Sequence, residues 1–246
     1  MEKTTKLSIV APMLNEEEKD IDEFYARLTN TLLKLRYPYE IIFVDDGSKD
    51  NVFAILKQLH GKDKRVKIIR FVKNFGQATA LLAGFECAKG EIIVAIDSDL
   101  QCFPEDIPKL IEKIDQGYDM VSGWRIRRSD PIFTRKTPSF LMNKIMSVRT
   151  GVRLRDWGCS FCAMKKGIVS QLKGYGKNAR FIKPILAGLS ESIVEVEVRH
   201  RPRQRGKSSY SIFQLISSAM DFLIHYSFNK PEEKNESLFA IKEVID

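Results

Sequence analysis

A pair of carboxylates offers the clearest chemistry in this sequence. Asp97 and Asp99 follow an apolar run at residues 92–96, which predicts a buried strand, and ligands of a parallel α/β sheet bind beyond the carboxyl ends of its strands. Neighbouring carboxylates repel each other unless a cation relieves them, as Mg²⁺ or Mn²⁺ does when it bridges them to a diphosphate. Gln101 adds an amide oxygen nearby. We therefore predict a divalent metal at Asp97, Asp99 and Gln101, with a solvated acidic loop as the alternative.

A second acidic cluster, residues 45–48, follows the predicted strand 41–44 in the same way. Asp45 is suited to accept hydrogen bonds from the imide or ribose of a nucleoside. The same cluster also reads as a helix entry, with Ser48 as the N-cap and a glycine in a tight turn before it. Both roles are compatible. At the end of the first predicted strand, the backbone and Asn15 are placed to hold a base.

Two basic segments are candidates for phosphate binding. Arg125 and Arg135 flank the first segment, and the planar guanidinium group matches phosphate geometry. The second segment, residues 203–210, is rich in Arg and Lys and contains Gly206 as a hinge, which favours a mobile phosphate-binding loop. A solvated basic surface is the alternative for each.

The composition limits the classes of protein. The chain has 246 residues, 43% of them hydrophobic, and a formal charge of +8, which predicts one large α/β domain with anionic partners. Nucleic acid is not favoured, since neither an RNA-binding motif nor zinc-finger spacing accompanies the charge. Dinucleotide-binding, Walker and serine-hydrolase motifs are also absent. No run reaches the roughly 18 to 20 apolar residues of a membrane-spanning helix, and no leader is recognisable. The four cysteines are predicted to be reduced, small core residues.

Alternating strand and helix patterns predict a mostly parallel sheet with helices on both faces. Apolar runs predict strands at residues 7–11, 41–44, 66–69, 92–96, 120–122 and 193–198. Helical spacing of apolar residues begins at Phe75, with Asn74 as the predicted N-cap, and a further helix is predicted at 139–148. We predict one catalytic domain over residues 1–228, ending in an amphipathic helix at about 211–226, and a charged tail over 229–246.

Read in order, these segments resemble the family 2 glycosyltransferases, and among them the polyprenyl-phosphate glycosyltransferases. The resemblance covers about residues 7 to 225, so it is more specific than any single motif. The motifs that carry it are Pro12-Met13-Leu14-Asn15-Glu16, Val44-Asp45-Asp46-Gly47-Ser48, Asn74-Phe75-Gly76-Gln77, Asp97-Ser98-Asp99-Leu100-Gln101, Ser122-Gly123-Trp124-Arg125, Arg135 with Ser139, Asp156-Trp157-Gly158-Cys159-Ser160-Phe161, Arg180-Phe181-Ile182 and His200-Arg201-Pro202-Arg203.

The resemblance implies a GT-A fold, with a Rossmann-like nucleotide-binding half and an acceptor half, and an inverting reaction. A sugar would move from a nucleotide-diphospho-sugar, UDP-linked by preference, to a polyprenyl phosphate. The implied roles are as follows: Asp156 and Asp99 in catalysis; Pro12, Asn15, Glu16, Asp45, Asp97, Ser98, Arg203 and Lys207 in nucleotide-sugar binding; Arg125, Arg135 and Ser139 in binding the acceptor phosphate; and Asp97, Asp99 and Gln101 in metal binding.

The chain departs from the family pattern at two places. Ser209 occupies the position at which related enzymes carry a lysine, and Lys207 lies two residues earlier. Many relatives continue into transmembrane helices, whereas a charged tail follows here. We therefore expect a cytoplasmic protein that docks peripherally at the inner membrane face through the helix at 211–226, or a membrane-anchored one if the natural chain is longer.

Two other functions stay open, namely a glycosyltransferase that acts on a glycan hydroxyl and a non-catalytic relative that binds nucleotide sugars. Two guanidinium groups argue against a hydroxyl acceptor, and the retained carboxylates argue against the loss of catalysis. The sequence also leaves open whether the chain forms a homo-oligomer.

Overall fold

The structure is a computed structural model that describes residues 6–125, 137–172, 175, 181–201 and 239–246, with side chains of the segment that begins at 137 described from residue 143. Within these residues the strands form a single sheet in the order β7-β5-β6-β4-β1-β2-β3-β8. The strands are β1 (Leu7–Met13), β2 (Tyr39–Asp45), β3 (Val66–Phe71), β4 (Ile92–Ala95), β5 (Met120–Arg125), β6 (Cys162–Lys165), β7 (Ile193–Val198) and β8 (Ile241–Ile245).

The pairing directions bring many strand ends to one edge of the sheet. Parallel pairs join β1 to β2 and β4, β2 to β3, and β5 to β7. β6 runs antiparallel to both β4 and β5, so β5 points the same way as β4. The carboxyl ends of β1, β2, β4, β5 and β7 therefore share an edge with the start of β6, and we call it the carboxyl edge.

Helices cover both faces of the sheet, which confirms the predicted fold class. One face packs against α1 (Glu18–Leu35), α2 (Val52–Lys62) and α4 (Ile107–Asp115). The other face packs against α3 (Gln77–Cys87), α5 (Thr137–Thr150), α6 (Lys166–Val169) and α7 (Ile182–Leu189). Alternate strand residues serve the two faces, and the central strands are buried on both, which explains their continuous apolar runs.

The predicted strands are confirmed, but β6 and β8 were not predicted. β6 has four residues, too few to show a period. β8 lies inside the predicted charged tail, and its Lys and Glu residues hide the strand pattern. It pairs antiparallel with β3, and Phe239 just before it stacks on Phe71 with 5.1 Å between ring centroids. The domain boundary at residue 228 stays a prediction, since residues 202–238 lie outside the described part.

Two predicted helix caps are wrong. α3 begins at Gln77, and the residue before it is Gly76 with a φ of +94°, so Asn74 lies outside the helix. α2 begins at Val52 after Asn51, and Ser48 therefore does not cap it. In both cases a polar loop of the carboxyl edge extends further than the helical pattern suggested.

In the described part of the chain, we find no helix with the length and apolar character needed to span a bilayer. The predicted amphipathic helix at 211–226 lies outside the described residues.

A buried carboxylate joins the strands at the opposite edge of the sheet. Glu40 accepts hydrogen bonds from the Ser8 hydroxyl at 2.5 Å and from the Lys89 N–H at 2.6 Å. Lys67 pairs with Glu40 at 2.9 Å and also with Asp246 at the end of β8. Burial alone would raise the pKa of Glu40, but these contacts outweigh it and hold the pKa below its usual 4.5. Glu40 thus connects β1, β2, β3 and the turn before β4.

We expect Glu40→Gln to lower the free energy of unfolding by about 2 kcal/mol near neutral pH, because hydrogen bonds and an ion pair to a buried charge are lost. A carboxylate whose pKa is lowered by folding stabilises the protein above its unfolded pKa, and this contribution is lost as the pH falls through the folded pKa. Urea unfolding from about pH 7 to about pH 3 should show the two proteins converging on acidification. A difference that does not change with pH would contradict this account.

Candidate active site

The carboxyl edge collects the predicted functional residues that the structure describes. Asp45 ends β2 and Arg125 ends β5, while Asp97 lies two residues beyond β4. Asp156 belongs to the loop that precedes β6. These residues are far apart in sequence, and the sheet order alone brings them together.

Asp97 is held by two neutral donors. The Gln77 amide nitrogen donates to its Oδ1 at 2.5 Å, and the Ser160 hydroxyl donates to its Oδ2 at 2.5 Å. Burial, together with the charge of Asp99, raises the pKa of Asp97 to about 6. The two donors fix the orientation of the carboxylate, but they carry no positive charge that would neutralise it.

Asp99 lies in a tight turn. Its Oδ1 accepts the Gln101 N–H at 3.0 Å and its Oδ2 accepts the Gln101 amide nitrogen at 2.8 Å, while Leu100 between them has a left-handed φ of +57°. The amide oxygen of Gln101 contacts His200 Nε2 at 3.2 Å. In this conformation Gln101 orients Asp99, and its assignment as a metal ligand stays a prediction.

The chain after β7 returns to this turn. Arg201 donates its N–H to the Gln101 carbonyl and its Nε to the Leu100 carbonyl, both at 3.0 Å. Cys102 and His200 also form an isolated antiparallel bridge. The segment that leads to the predicted phosphate-binding loop is therefore anchored on this turn. Nothing in the sequence indicated that His200 lies beside Gln101.

The turn that contains Asp97 and Asp99, which we call the acidic turn, suits a divalent cation if a bound diphosphate supplies further oxygen ligands. Within the described residues, His, Cys, Asp and Glu side chains form no cluster of three that could hold a metal ion. Asp97 and Asp99 could supply carboxylate oxygens, and a diphosphate with water could supply the rest, as Mg²⁺ sites commonly do. The raised pKa of Asp97 supports this fit, because burial and the neighbouring charge of Asp99 disfavour its ionised form and a bound cation would stabilise that form.

Asp45 has a buried oxygen that accepts no hydrogen bond. Its Oδ1 accepts the Ser48 N–H at 2.8 Å, whereas its Oδ2 lies 3.3 Å from Arg70 Nε without hydrogen-bond geometry. Its side chain is fully buried. A donor from a bound nucleoside would satisfy this oxygen once the neighbouring side chains shift, which fits the predicted role of Asp45.

Asp46 fixes the loop that carries Gln77. Its two oxygens accept the N–H groups of Phe75 at 2.7 Å and Gly76 at 2.9 Å. Gly47 allows this approach, because a Cβ there would lie 2.3 Å from the Lys73 carbonyl carbon. Sequence reasoning missed this role of Asp46. The motifs at 45–48 and 74–77 were recognised, but nothing in their order shows that one binds the other.

The loop after β1 is tied to both acidic segments. The Ser98 hydroxyl donates to the Pro12 carbonyl at 3.0 Å and contacts Glu16 at 3.3 Å. Asn15, with a φ of +54°, donates its N–H to the Ser48 hydroxyl, and its Oδ1 accepts the Lys49 N–H. The predicted donor-binding residues are thus neighbours, although Ser98 and Asn15 already hold the loops together.

Arg125 and Asp156 form a buried bidentate ion pair. Arg125 donates from Nε at 2.7 Å and from Nη2 at 2.9 Å, and its side chain is 13% exposed against 4% for Asp156. Burial alone would lower the pKa of Arg125, but Asp156 raises it above its ordinary value. The predicted phosphate ligand and the predicted catalytic carboxylate therefore bind each other, which the sequence did not indicate.

The loop that carries Asp156 is supported from three sides. Lys183 donates to the carbonyls of Asp156 at 2.8 Å and Cys159 at 2.7 Å. The carboxylate of Glu195 accepts the Asp156 N–H at 3.2 Å. On the α5 side, Trp157 Nε1 donates to the Ser147 hydroxyl at 3.1 Å. These contacts come from separate elements and restrict the movement of Asp156.

Several predicted site residues lie outside the described part. Arg135, Arg203 and Lys207 fall in segments that the structure does not describe, and the side chain of Ser139 is also outside it. The four cysteines are free thiols, and Cys102, Cys159 and Cys162 are buried.

A known protein family matches the N-terminal two thirds of the chain. The family described as glycosyl transferase family 2 matches residues 8–172. Solved structures of low sequence identity share the fold. Glucosyl-3-phosphoglycerate synthase from Mycobacterium tuberculosis has a TM-score of 0.62 at 19% identity, covering 89% of this chain and 77% of that one. The mannosyltransferase PcManGT from Pyrobaculum calidifontis has a TM-score of 0.60 at 16% identity, covering 88% and 64%. The chain therefore has the predicted GT-A fold.

Curated relatives are considerably more similar in sequence. Undecaprenyl-phosphate 4-deoxy-4-formamido-L-arabinose transferase from Pseudomonas fluorescens is 40% identical over 219 residues, which cover 88% of this chain and 63% of the relative. The same enzyme from Proteus mirabilis is 37% identical, covering 90% and 68%. Dodecaprenyl-phosphate galacturonate synthase from Rhizobium johnstonii is 35% identical, covering 89% and 65%. The chain thus spans about two thirds of the length of these relatives.

The ion pair predicts an unusual pattern of stability. We expect Arg125→Met and Asp156→Leu each to lower the free energy of unfolding by about 3 to 5 kcal/mol, since each leaves a buried charge without its partner. The double variant should lose less than either single variant, because it leaves neither charge. Urea unfolding of the four proteins checks this. Losses that simply add would show that the two residues are not coupled.

Proposed function

The chain belongs to glycosyl transferase family 2, and from that premise we propose that it transfers a hexose-type sugar from a nucleotide-diphospho-sugar to a polyprenyl phosphate. The donor is UDP-linked by preference, and the anomeric configuration is inverted. The reaction is placed at the cytoplasmic face of the membrane, where nucleotide sugars are made and the lipid acceptor can be reached.

One observation carries the proposal, namely the meeting of three sites at the carboxyl edge. Asp45 offers a buried oxygen without a hydrogen-bond donor for a nucleoside. Asp97 and Asp99 place two carboxylates side by side, and burial together with the charge of Asp99 raises the pKa of Asp97, which suits a metal-bound diphosphate. Arg125 and Asp156 provide a guanidinium and a carboxylate near Asp97, since the charge of Arg125 acts on the pKa of Asp97. A nucleotide, a diphosphate and an anionic acceptor would thus bind side by side.

A bound divalent metal would neutralise the charge that develops on the departing nucleoside diphosphate. The residues that would hold it are Asp97 and Asp99, with Gln101 orienting Asp99. Solved structures of the same fold contain Mn²⁺ with UDP-glucose or GDP-mannose, which supports a metal-dependent donor site but does not select the base.

The acceptor needs little activation. A lipid phosphate is already anionic at neutral pH, so its oxygen can attack the anomeric carbon while the bond to the diphosphate oxygen breaks and the electron pair leaves with the nucleoside diphosphate. Catalysis then depends on alignment and on stabilisation of the leaving group. Asp156 suits an orienting role, because its two oxygens already accept hydrogen bonds from Arg125.

The named relatives support the acceptor class, since they act on undecaprenyl phosphate or dodecaprenyl phosphate. The guanidinium of Arg125 is consistent with it, because a guanidinium that is shared with Asp156 can still donate to a phosphate oxygen. Arg135 and Ser139 would complete the phosphate site, and Arg203 with Lys207 would close over the donor. A peripheral membrane surface completes this arrangement.

A transfer assay tests the proposal directly. Purified protein is incubated with undecaprenyl phosphate and UDP-sugars or GDP-mannose, with Mn²⁺ or Mg²⁺, and the glycosylated lipid is measured. We expect Asp99→Asn to reduce turnover at least about a hundredfold, because charge stabilisation of the leaving group is lost. The fold should persist, since Asp99 lies in a turn outside the strands.

Asp22→Asn is the matched control, since it makes the same chemical change on the exposed side of α1 and should leave turnover unchanged. Wild-type turnover in Asp99→Asn would contradict the metal assignment. If the wild-type protein glycosylates no lipid with any donor, thermal-shift binding of the nucleotides with and without Mn²⁺ shows whether the donor site or the acceptor assignment is wrong.

A further inference from the structure

The geometry assigns Ser160, together with Gln77, a positioning role in which the two residues fix the Asp97 carboxylate and couple it to the loop that carries Asp156. The inference rests on the proposed function, because it concerns the same donor and acceptor sites. It predicts that a change at the Asp97 carboxylate alters the loop that carries Asp156, and the reverse, through the hydroxyl group of Ser160.

Both oxygens of the Asp97 carboxylate accept hydrogen bonds from described residues. Each oxygen of Asp97 accepts one hydrogen bond of 2.5 Å, from α3 on one side and from the loop before β6 on the other. A carboxylate bound at both oxygens cannot rotate without breaking one of these bonds. Ser160 and Gln77 therefore determine in which direction the remaining lone pairs of Asp97 point.

The side chains that donate to Asp97 are uncharged. Three other acids, all of them buried, pair with cations, namely Asp156 with Arg125, Asp106 with Arg199, and Glu40 with Lys67. In the described part of the chain, the direct donors to Asp97 are a hydroxyl and an amide. Neutral donors orient the group without cancelling its charge. That is what a carboxylate requires if it is to bind a cation from outside the protein.

The segment around Ser160 is held in place on both sides of this residue. Ser160 follows Cys159, whose carbonyl is bound by Lys183 together with the carbonyl of Asp156. On the other side of Ser160, the Phe161 carbonyl accepts the Gly123 N–H of β5 at 2.8 Å. The segment from Asp156 to Phe161 is thus held at both ends, and a shift of Asp97 would be transmitted through Ser160 toward Asp156.

Three serine variants separate positioning from simple loop support. Ser160→Ala removes the hydrogen bond to Asp97, and Ser160→Thr keeps a hydroxyl. Ser147→Ala is the matched control, because Ser147 supports the same loop through Trp157 but is not one of the two side chains that donate to Asp97. Hydrogen exchange of residues 156–161 is measured without nucleotide. The Kd of the nucleotide that wild-type protein binds, UDP or GDP, is measured with Mn²⁺ by calorimetry.

We expect Ser160→Ala to speed exchange in residues 156–161 and to raise the Kd for the Mn²⁺-nucleotide about tenfold, the value of one hydrogen bond to a charged group. Nucleotide binding should protect these amides in wild-type protein and no longer in Ser160→Ala. Ser160→Thr should restore both properties. Ser147→Ala should speed exchange near Trp157 while its Kd stays within about twofold of wild type.

The inference is overturned if Ser160→Ala leaves exchange and Kd unchanged, or if Ser147→Ala weakens nucleotide binding equally, since loop support would then explain the effect. The exchange measurement needs no ligand, so it tests the Ser160 contact even if the enzyme assignment fails. Conversely, wild-type protein that binds nucleotide but glycosylates no polyprenyl phosphate would contradict the proposed function and leave the coupling between Asp97 and the loop intact.

Discussion

Asp97 is a carboxylate at the carboxyl edge of the sheet, and its burial together with the charge of the neighbouring Asp99 raises its pKa to about 6. Burying such a charge is costly unless a partner restores what water provided. The surrounding loops supply that partnership with hydrogen bonds from Gln77 and Ser160. Gln77 is in turn fixed by Asp46 through the start of α3, and Ser160 by the loop before β6. The organisation of the edge follows from the need to hold this one group.

Two acids away from the carboxyl edge have positively charged partners and lowered pKa values. Glu40 at the opposite edge and Asp119 near the start of β5 both pair with lysines, and their pKa values lie below the ordinary range. These groups stabilise the folded state at neutral pH. Asp97 and Asp46 have raised pKa values, in each case mainly through burial. These two acids at the carboxyl edge thus differ from Glu40 and Asp119 in the direction of the shift, and perturbed pKa values are frequent at functional sites.

The sequence predicted the strands that end at this edge and the residues that follow them, because buried parallel strands leave continuous apolar runs and their polar ends stand out. It did not predict β6, whose four residues give no pattern, and without β6 the order of the sheet cannot be derived. The contact between Ser160 and Asp97 spans 63 residues and exists only because β6 lies beside β4. The contact between Asp46 and Phe75 likewise depends on a long-range loop approach. Motif order predicted candidate residues, and those that the structure describes lie at the carboxyl edge, whereas their hydrogen-bond partners could be found only from the topology.

The pairing of Arg125 with Asp156 bears on how the site selects its acceptor. Two of the guanidinium nitrogens already bind the carboxylate, so the orientation of Arg125 is fixed. Its side chain would therefore lose little conformational entropy on binding a phosphate. In the proposed reaction an incoming phosphate would share this guanidinium with Asp156, so the phosphate would have to be well aligned with it. The same pairing argues against Asp156 as a strong base, because protonation would break a buried ion pair. Asp156 and Arg125 would therefore act in the proposed reaction by aligning an acceptor that is already charged.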